Sequence, residues 1–265
     1  MGRRTFISAL ATTLLLLASA LTASAQEFQK SYNLEPGGTI SVTNVSGNII
    51  ITGYDGSAVT VAGFKEGRDR DLVEVEDTSG AGRVELRVRY PRECNCDASI
   101  RFEVRVPRST NFNFEHISTA SGDIKAEGVA GRLELRTASG DVTVGSVSGE
   151  VRAESASGTV RVRDAAGTVN ASTASGNVDV EMARLEGTGD MRFSSASGDV
   201  SVRLPSSLDA RVDMSTASGS IETDFPIEVR KDRYSSGYTA HGQLGSGSRS
   251  LKISSASGDL KLKSL

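Results

Sequence analysis

The sequence predicts an all-β fold: a parallel β-solenoid (β-helix) of ~18-residue coils with an irregular β-rich N-terminal cap. Three observations carry this. One small polar pentapeptide recurs seven times: TASGD at Thr119 and Thr137, SASGT at Ser155, TASGN at Thr173, SASGD at Ser195, TASGS at Thr216 and SASGD at Ser255. Glycines at 122, 131, 140, 149, 158, 167 and 176 keep a constant step of nine. Only alternate members carry Ala-Ser before the glycine, so the full unit is 18 residues in two unequal halves. After each corner, apolar residues recur at every second position, as in DVTVG at Asp141, TVRVR at Thr159 and NVDVE at Asn177. That is the period of a strand with one face buried, and helical spacing fits none of these runs.

The chain opens with Arg3 and Arg4, a small-and-apolar run centred on Leu14–Leu17, and Ala23-Ser24-Ala25 before Gln26. This is the layout of a secretory signal peptide over residues 1–25. Against the competing reading, a membrane anchor, stand the short apolar stretch and the small-x-small cleavage site. No Cys near that site offers a lipid attachment point. No later stretch approaches ~20 apolar residues, so no transmembrane segment is expected after cleavage. The expected location is the periplasm, the cell surface or the extracellular space. Loss of Arg3 and Arg4 moves the formal charge from −3 to −5 and leaves 240 residues. A mildly acidic chain has no general electrostatic reason to bind nucleic acid or an anionic membrane.

Residues 26–117 read as the irregular N-terminal part of the solenoid, or its cap. Ser46-Gly47 is an imperfect copy of the corner and marks an early coil, and DLVEVED, GRVELRVRYP and SIRFEVRVP are longer strands with turn signals between them. Five of the seven Phe after the leader lie here. Cys94 and Cys96 flank Asn95. In an exported chain a local disulfide is the default, with free or intermolecularly paired thiols as the alternative. A metal site needs more ligands than one Cys pair.

Residues 118–265 read as the regular solenoid, with insertions near 181–192 and 223–250. Gly122, Gly140, Gly158, Gly176, Gly198, Gly219 and Gly258 are the structural corner positions, where a residue without Cβ can turn sharply. The Asp, Asn, Ser or Thr that follows can satisfy backbone N–H groups there. Ile124 and Ala126, and the pairs Val142/Val144, Val160/Val162, Val178/Val180 and Val200/Val202, fill a narrow interior. The last coil, SSASGDLKLKSL, is expected to close the stack, with Lys261 and Lys263 guarding its edge and the insertion before it folding over the end. The crossover rule for parallel strands favours right-handed winding.

The leader, SGNIIITGYDG, the FEVRVP strand ending at Pro107, TASGDI at Thr119–Ile124, the nine- and eighteen-residue steps and the closing ISSASGDLKL together resemble the bacterial putative-adhesin family of secreted β-solenoid domains. The resemblance covers nearly all of the chain after the leader. It implies envelope or surface placement and brings neither a ligand nor catalytic residues.

No catalytic, cofactor or metal residues are assigned. Asp123, Asp141, Asp199 and Asp259 share one corner position, but Thr159, Asn177 and Ser220 interrupt the rank, so a calcium ladder is not expected; an isolated ion between Asp123 and Asp141 is the residual case. Lys125, Thr143, Arg161, Asp179 and Ser201 share another rank and read as a solvated face of mixed charge. His116 and His241 lie far apart in sequence. Thr119/Ser121, Thr137/Ser139, Thr173/Ser175 and Thr216/Ser218 form a hydroxyl array beside the corner glycine, a poor place for a flat ice- or carbohydrate-binding face. The expected function is a non-enzymatic adhesin or binding scaffold at the envelope, with no cofactor, for a protein or polysaccharide ligand held by the insertions or the cap. The alternative is a structural protein that self-associates end to end. A polysaccharide-active β-helix enzyme comes third, because glycosidase chemistry needs two acids across a bond.

Overall fold

The structure, a computed structural model, describes residues 26–231 and 236–265. Residues 1–25, on which the signal-peptide reading falls, lie outside the described residues. In chain order the strands are β1 (Gln26–Tyr32), β2 (Thr39–Thr43), β3 (Ile49–Tyr54), β4 (Val59–Glu66), β5 (Glu74–Asp77), β6 (Arg83–Arg89), β7 (Ser99–Pro107), β8 (Asn111–Ser121) and β9 (Ile124–Glu127). They continue with β10 (Ala130–Ser139), β11 (Val142–Gly145), β12 (Val151–Ser157), β13 (Val160–Arg163), β14 (Val169–Ser175), β15 (Val178–Glu181), β16 (Met191–Ser197) and β17 (Val200–Leu204). The last are β18 (Ala210–Ser218), β19 (Ile221–Thr223), β20 (Glu228–Lys231), β21 (Tyr238–Leu244), β22 (Ser250–Ser257) and β23 (Leu260–Ser264). One short 3₁₀ turn, Arg70–Leu72, is the only helical element among the described residues.

These strands form two long, mostly parallel sheets. The first has the order β1-β4-β7-β3-β9-β11-β13-β15-β17-β23-β19, and the second β20-β21-β18-β22-β16-β14-β12-β10-β8-β2-β6-β5. Each coil gives a longer strand to the second sheet and, past the corner glycine, a shorter one to the first. Through the middle, Val142 faces Val160, Val160 faces Val178 and Val151 faces Val169. Between β14 and β16, Thr173 faces Ser195, and the segment 182–190 takes up the extra residues.

Alternation decides what is buried. Ile124, Ala126, Val142, Val160, Val162, Val178, Val180, Val200 and Val202 are fully shielded from solvent between the sheets. Burying a Val side chain contributes roughly 1.5–3 kcal/mol, so each coil holds its own share of the core. The interior is broader at the N-terminal end, where Phe102, Phe112 and Phe114 are buried and the last two meet edge to face, with ring centroids 6.4 Å apart.

The stacking order departs from chain order at both ends. The coil β22–β23 does not close the stack. It lies between β16–β17 and β18–β19, parallel to both: Ile253 faces Phe193 on one side and Met214 on the other, and Leu260 faces Val200 and Ile221. At the other end β2–β3 lies between β6–β7 and β8–β9. The Ser46-Gly47 coil is therefore interior: Thr119 Oγ1 donates to Gly47 O (3.1 Å), and the Asp123 amide donates to Asn48 Oδ1 (2.8 Å). The physical reason is the likeness of the corners. Coils that carry the pentapeptide present the same corner ladder, so its register constrains how two coils meet and not which two, although their inward residues differ, as Phe193, Ile253 and Met214 do. Among the described residues antiparallel pairs occur only toward the ends, β1 on β4 and β4 on β7, β5 on β6, and the β20–β21 hairpin on β18, whereas β19, the last strand of the first sheet, is parallel to β23.

Candidate binding face

The corner shows which of its residues are free to do anything. The first residue of the pentapeptide points inward. Thr137 Oγ1 donates to Gly122 O, Ser155 Oγ to Gly140 O, Thr173 Oγ1 to Gly158 O and Ser195 Oγ to Gly176 O, each at 2.9 Å. Ser255 and Thr216 continue the ladder to Gly198 O and Gly258 O at 3.0 and 2.9 Å. These seven hydroxyl residues, Thr119 included, are 4–7% exposed. The hydroxyl array read from the sequence is thus half internal, because it supplies the missing partner of each glycine carbonyl; only Ser121, Ser139, Ser175 and Ser218 of it face solvent.

The glycine itself is fixed by close approach. Gly140 has φ +147°, and a Cβ there would meet the Gly122 carbonyl oxygen; Gly158 stands in the same relation to Gly140. The corner glycines Gly122, Gly176, Gly198, Gly219 and Gly258 also have positive φ. The next residue supplies a third ladder. Asp123 Oδ1 accepts the Asp141 amide, Asp141 Oδ1 the Thr159 amide, Asn177 Oδ1 the Asp199 amide and Asp199 Oδ1 the Asp259 amide, at 2.8–2.9 Å. Asn serves as well as Asp, which is why the rank tolerates both. The Thr159 amide and then the Arg161 guanidinium, 2.8 Å from Oδ2, hold the Asp141 carboxyl below its usual range. No group of three His, Cys, Asp or Glu side chains able to hold a metal occurs among the described residues.

With the hydroxyl turned in, its neighbours turn out. On the outer face of the second sheet, Ser172, Ser194, Ser254, Ser215 and Thr239 stand in one row by strand register. Beside it runs an exposed row, Ala156, Ala174, Ala196, Ala256 and Ala217. Successive strands lie about 4.8 Å apart. The two rows floor an open groove of about 1050 Å³ that runs along the stack. The hydroxyls of Ser172, Ser194, Ser254 and Ser215 bond to no protein group among the described residues.

Charge closes one end of the groove. Glu154 accepts from Arg136 Nε (2.9 Å) and Arg152 Nε (2.7 Å). Burial works to raise this carboxyl, but the two guanidinium bonds outweigh it and leave it below the ordinary range. The β20–β21 hairpin stands at the other end, where His241 Nδ1 lies 3.5 Å from Asp213 Oδ2. The first sheet's outer face is different. Arg161–Asp141, Arg163–Asp179, Arg203–Glu181 and Lys263–Asp224 pairs, at 2.8–3.3 Å, cover it with a network of mixed sign.

The insertion after Glu181 contributes Ala183, Arg184 and Glu186 to a second recess of about 550 Å³ over the opposite corner, with Arg108 at its edge. Cys94 and Cys96 lie in the β6–β7 loop, joined by a disulfide with Cα atoms 5.1 Å apart. His116 is on β8 and His241 on β21, with six strands between them in the sheet order. The serine–alanine groove was not foreseen from the sequence. Its signal was the uncharged residue just before the pentapeptide: Ser172, Ser194, Ser215 and Ser254, where earlier repeats have Arg136 and Glu154.

The described residues form an all-β stack of two long, mostly parallel sheets. The chain belongs to the Toastrack DUF4097 family, whose model matches residues 23–263; this agrees with the putative-adhesin resemblance carried by the repeats. Among solved structures it is similar to a putative cell adhesion protein of Clostridium sporogenes ATCC 15579, at 13% identity over 90% of this chain and 99% of that one, TM-score 0.38. It is also similar to a putative adhesin of Parabacteroides distasonis ATCC 8503, at 11% identity over 88% and 96%, TM-score 0.38. Curated proteins yield no match. No helix among the described residues is long and apolar enough to cross a membrane.

Proposed function

We propose that the chain is an exported, non-enzymatic binding scaffold of the cell envelope, adhesin-like in use, that holds an extended polymer along the serine–alanine groove. On this reading residues 1–25 are removed on export. Residues 26–265 form one continuous domain wound right-handed in ~18-residue coils. The observation that carries the reading is the uncharged strip itself: free hydroxyls in a row, flanked by exposed methyl groups, on a molecule whose other face is covered in ion pairs. Such a strip matches a ligand with its own hydroxyl or amide groups at a regular repeat, a polysaccharide or an extended peptide. Glu154 is the one carboxylate lining the groove and is held by two arginines, so the two-acid arrangement of a glycosidase is lacking there.

The test is a co-sedimentation assay of the purified protein with insoluble envelope material, sacculi and outer-envelope fragments separately. The double substitution Ala174→Arg, Ala196→Arg fills the strip from exposed positions. Binding should fall at least tenfold while the thermal midpoint moves by no more than a few degrees. Unchanged binding by a folded double variant would remove the groove from the function.

A further inference from the structure

The coil β22–β23 sits in a slot whose two walls present the same corner pattern. Ser195, Gly198, Asp199 and Val200 on one wall correspond to Thr216, Gly219, Ser220 and Ile221 on the other, since each set faces Ser255, Gly258, Asp259 and Leu260 or bonds to them. The coil bonds both ways. Ser255 Oγ donates to Gly198 O (3.0 Å), and Gly258 O accepts Thr216 Oγ1 (2.9 Å). The Asp259 amide donates to Asp199 Oδ1, and Asp259 Oδ1 accepts the Ser220 amide. If this coil leaves, the outer coil β18–β19 can drop one step of about 4.8 Å and meet β16–β17 in the register the repeat already provides. Thr216 then faces Gly198 O, as Ser255 did. Closing the gap would re-form one of the two ladders that the coil's departure breaks on each sheet, which lowers the penalty for extracting a central strand.

The segment that would carry the coil away is built as a hinge. Gly245 and Gly247, both at positive φ, interrupt the chain between β21 and β22. A single carboxylate pins this loop: Asp209 accepts from Ser246 Oγ (2.7 Å) and from the Gly247 and Ser248 amides (2.6 and 3.2 Å). All of these atoms lie near solvent, so the loop's closed form rests on a few exchangeable hydrogen bonds.

We infer that the slot is an interaction site for a second copy of this chain, whose own residues 250–264 enter it in a reciprocal exchange. The exchanged dimer keeps every contact of the monomer and changes only the path of the hinge. It is closed, because each copy gives one coil and receives one.

Register makes the test direct. Ser194 and Ser254 face each other on adjacent strands with outward side chains, a spacing within the range a disulfide spans. One tagged copy carries Ser194→Cys and a differently tagged copy Ser254→Cys, both with Cys94→Ser and Cys96→Ser; they are refolded together and oxidised. A covalent product bearing both tags is expected, and removing residues 246–248 should raise its yield at least fivefold, because a short hinge favours exchange. A single chain with both new cysteines must close internally. Internal closure in that chain, with no mixed product from the pair at any protein concentration, would overturn the proposal. Failure of internal closure in a folded chain would overturn it too, because the slot would not hold the coil in this register. A second measurement needs no cysteine: a chain lacking residues 250–265 should still unfold in one cooperative transition with β18 amides protected from exchange. Loss of that protection would show that the slot cannot close on itself.

Discussion

Thr137 explains why the repeat begins with Ser or Thr and nothing else. Its hydroxyl is the partner of the Gly122 carbonyl, and a buried carbonyl left without a donor costs about 1–3 kcal/mol. Thr137→Val keeps shape and burial and removes only the donor, so it should lower stability by that amount in urea unfolding, whereas Thr137→Ser should cost under about 1 kcal/mol, since Ser155, Ser195 and Ser255 fill the same role. Gly140 answers to sterics. Both its φ and the neighbouring carbonyl forbid a side chain, and forcing such a backbone costs on the order of 1–3 kcal/mol before any clash is counted. Gly140→Ala should therefore cost more than about 2 kcal/mol. Gly128→Asn, at φ +64° with open space around it, should cost less than about 1, since Asn tolerates the left-handed region. Much of this was legible in the sequence, because a corner repeated seven times shows which atoms are constant. The direction in which each hydroxyl points was not legible, since an alternation rule cannot say whether a small polar residue beside a turn faces carbonyl or water.

At the scale of the strand, the two sheets need a tie where the stack begins. Lys30 and Tyr32 on β1, in the first sheet, both donate to Asp77 Oδ2 on β5, in the second, at 2.5 and 2.8 Å, and the Ser79 amide holds Oδ1 at 2.9 Å. Burial works to raise the Asp77 carboxyl; the bonds from Lys30, Ser79 and Tyr32 outweigh it and hold the group well below its ordinary value. Burial and then Asp77 push the Tyr32 hydroxyl up in turn. A depressed carboxyl contributes stability that is complete above its unfolded pKa of about 3.9 and is lost as pH falls through the lower folded value. The protection factors of the β1 amides, with the pH dependence of intrinsic exchange divided out, should therefore be flat from pH 7 to about 4 and fall at lower pH. Asp77→Asn should remove that acid step and leave β1 less protected at neutral pH. An acid step that survives in Asp77→Asn would assign the tie elsewhere. Neither β1 nor β5 announces this pairing in sequence, because a contact between residues 30 and 77 follows no repeat.

The whole molecule sets the limit on assembly. At one end the stack is covered by the antiparallel pairs of β1 with β4, β4 with β7 and β5 with β6. At the other end the β20–β21 hairpin covers β18, while β19, parallel to β23, is the last strand of the first sheet. An uncovered strand is a template for pairing with another chain. Excision of the hairpin, which bares the longer β18, should therefore give larger species in light scattering at high concentration than the intact chain gives. The stack of parallel sheets could be read from the nine- and eighteen-residue periodicity, and the family from that periodicity together with SGNIIITGYDG, FEVRVP and the closing ISSASGDLKL. Spatial order could not, because the repeated corner carries no address; the only clue was the wide step from Gly219 to Gly258.

The same lack of address has a consequence in time. A newly made chain presents residues 210–223 before residues 250–264, and β18–β19 finds on β17's coil a complete resting place one step too early. Propagation from coil to coil, the natural way for a solenoid to fold, would place it there. On that route the native order would require the contact to open and admit a latecomer, an intercalation rather than an addition. A chain ending before residue 250 should then refold faster than the full chain in stopped-flow measurements.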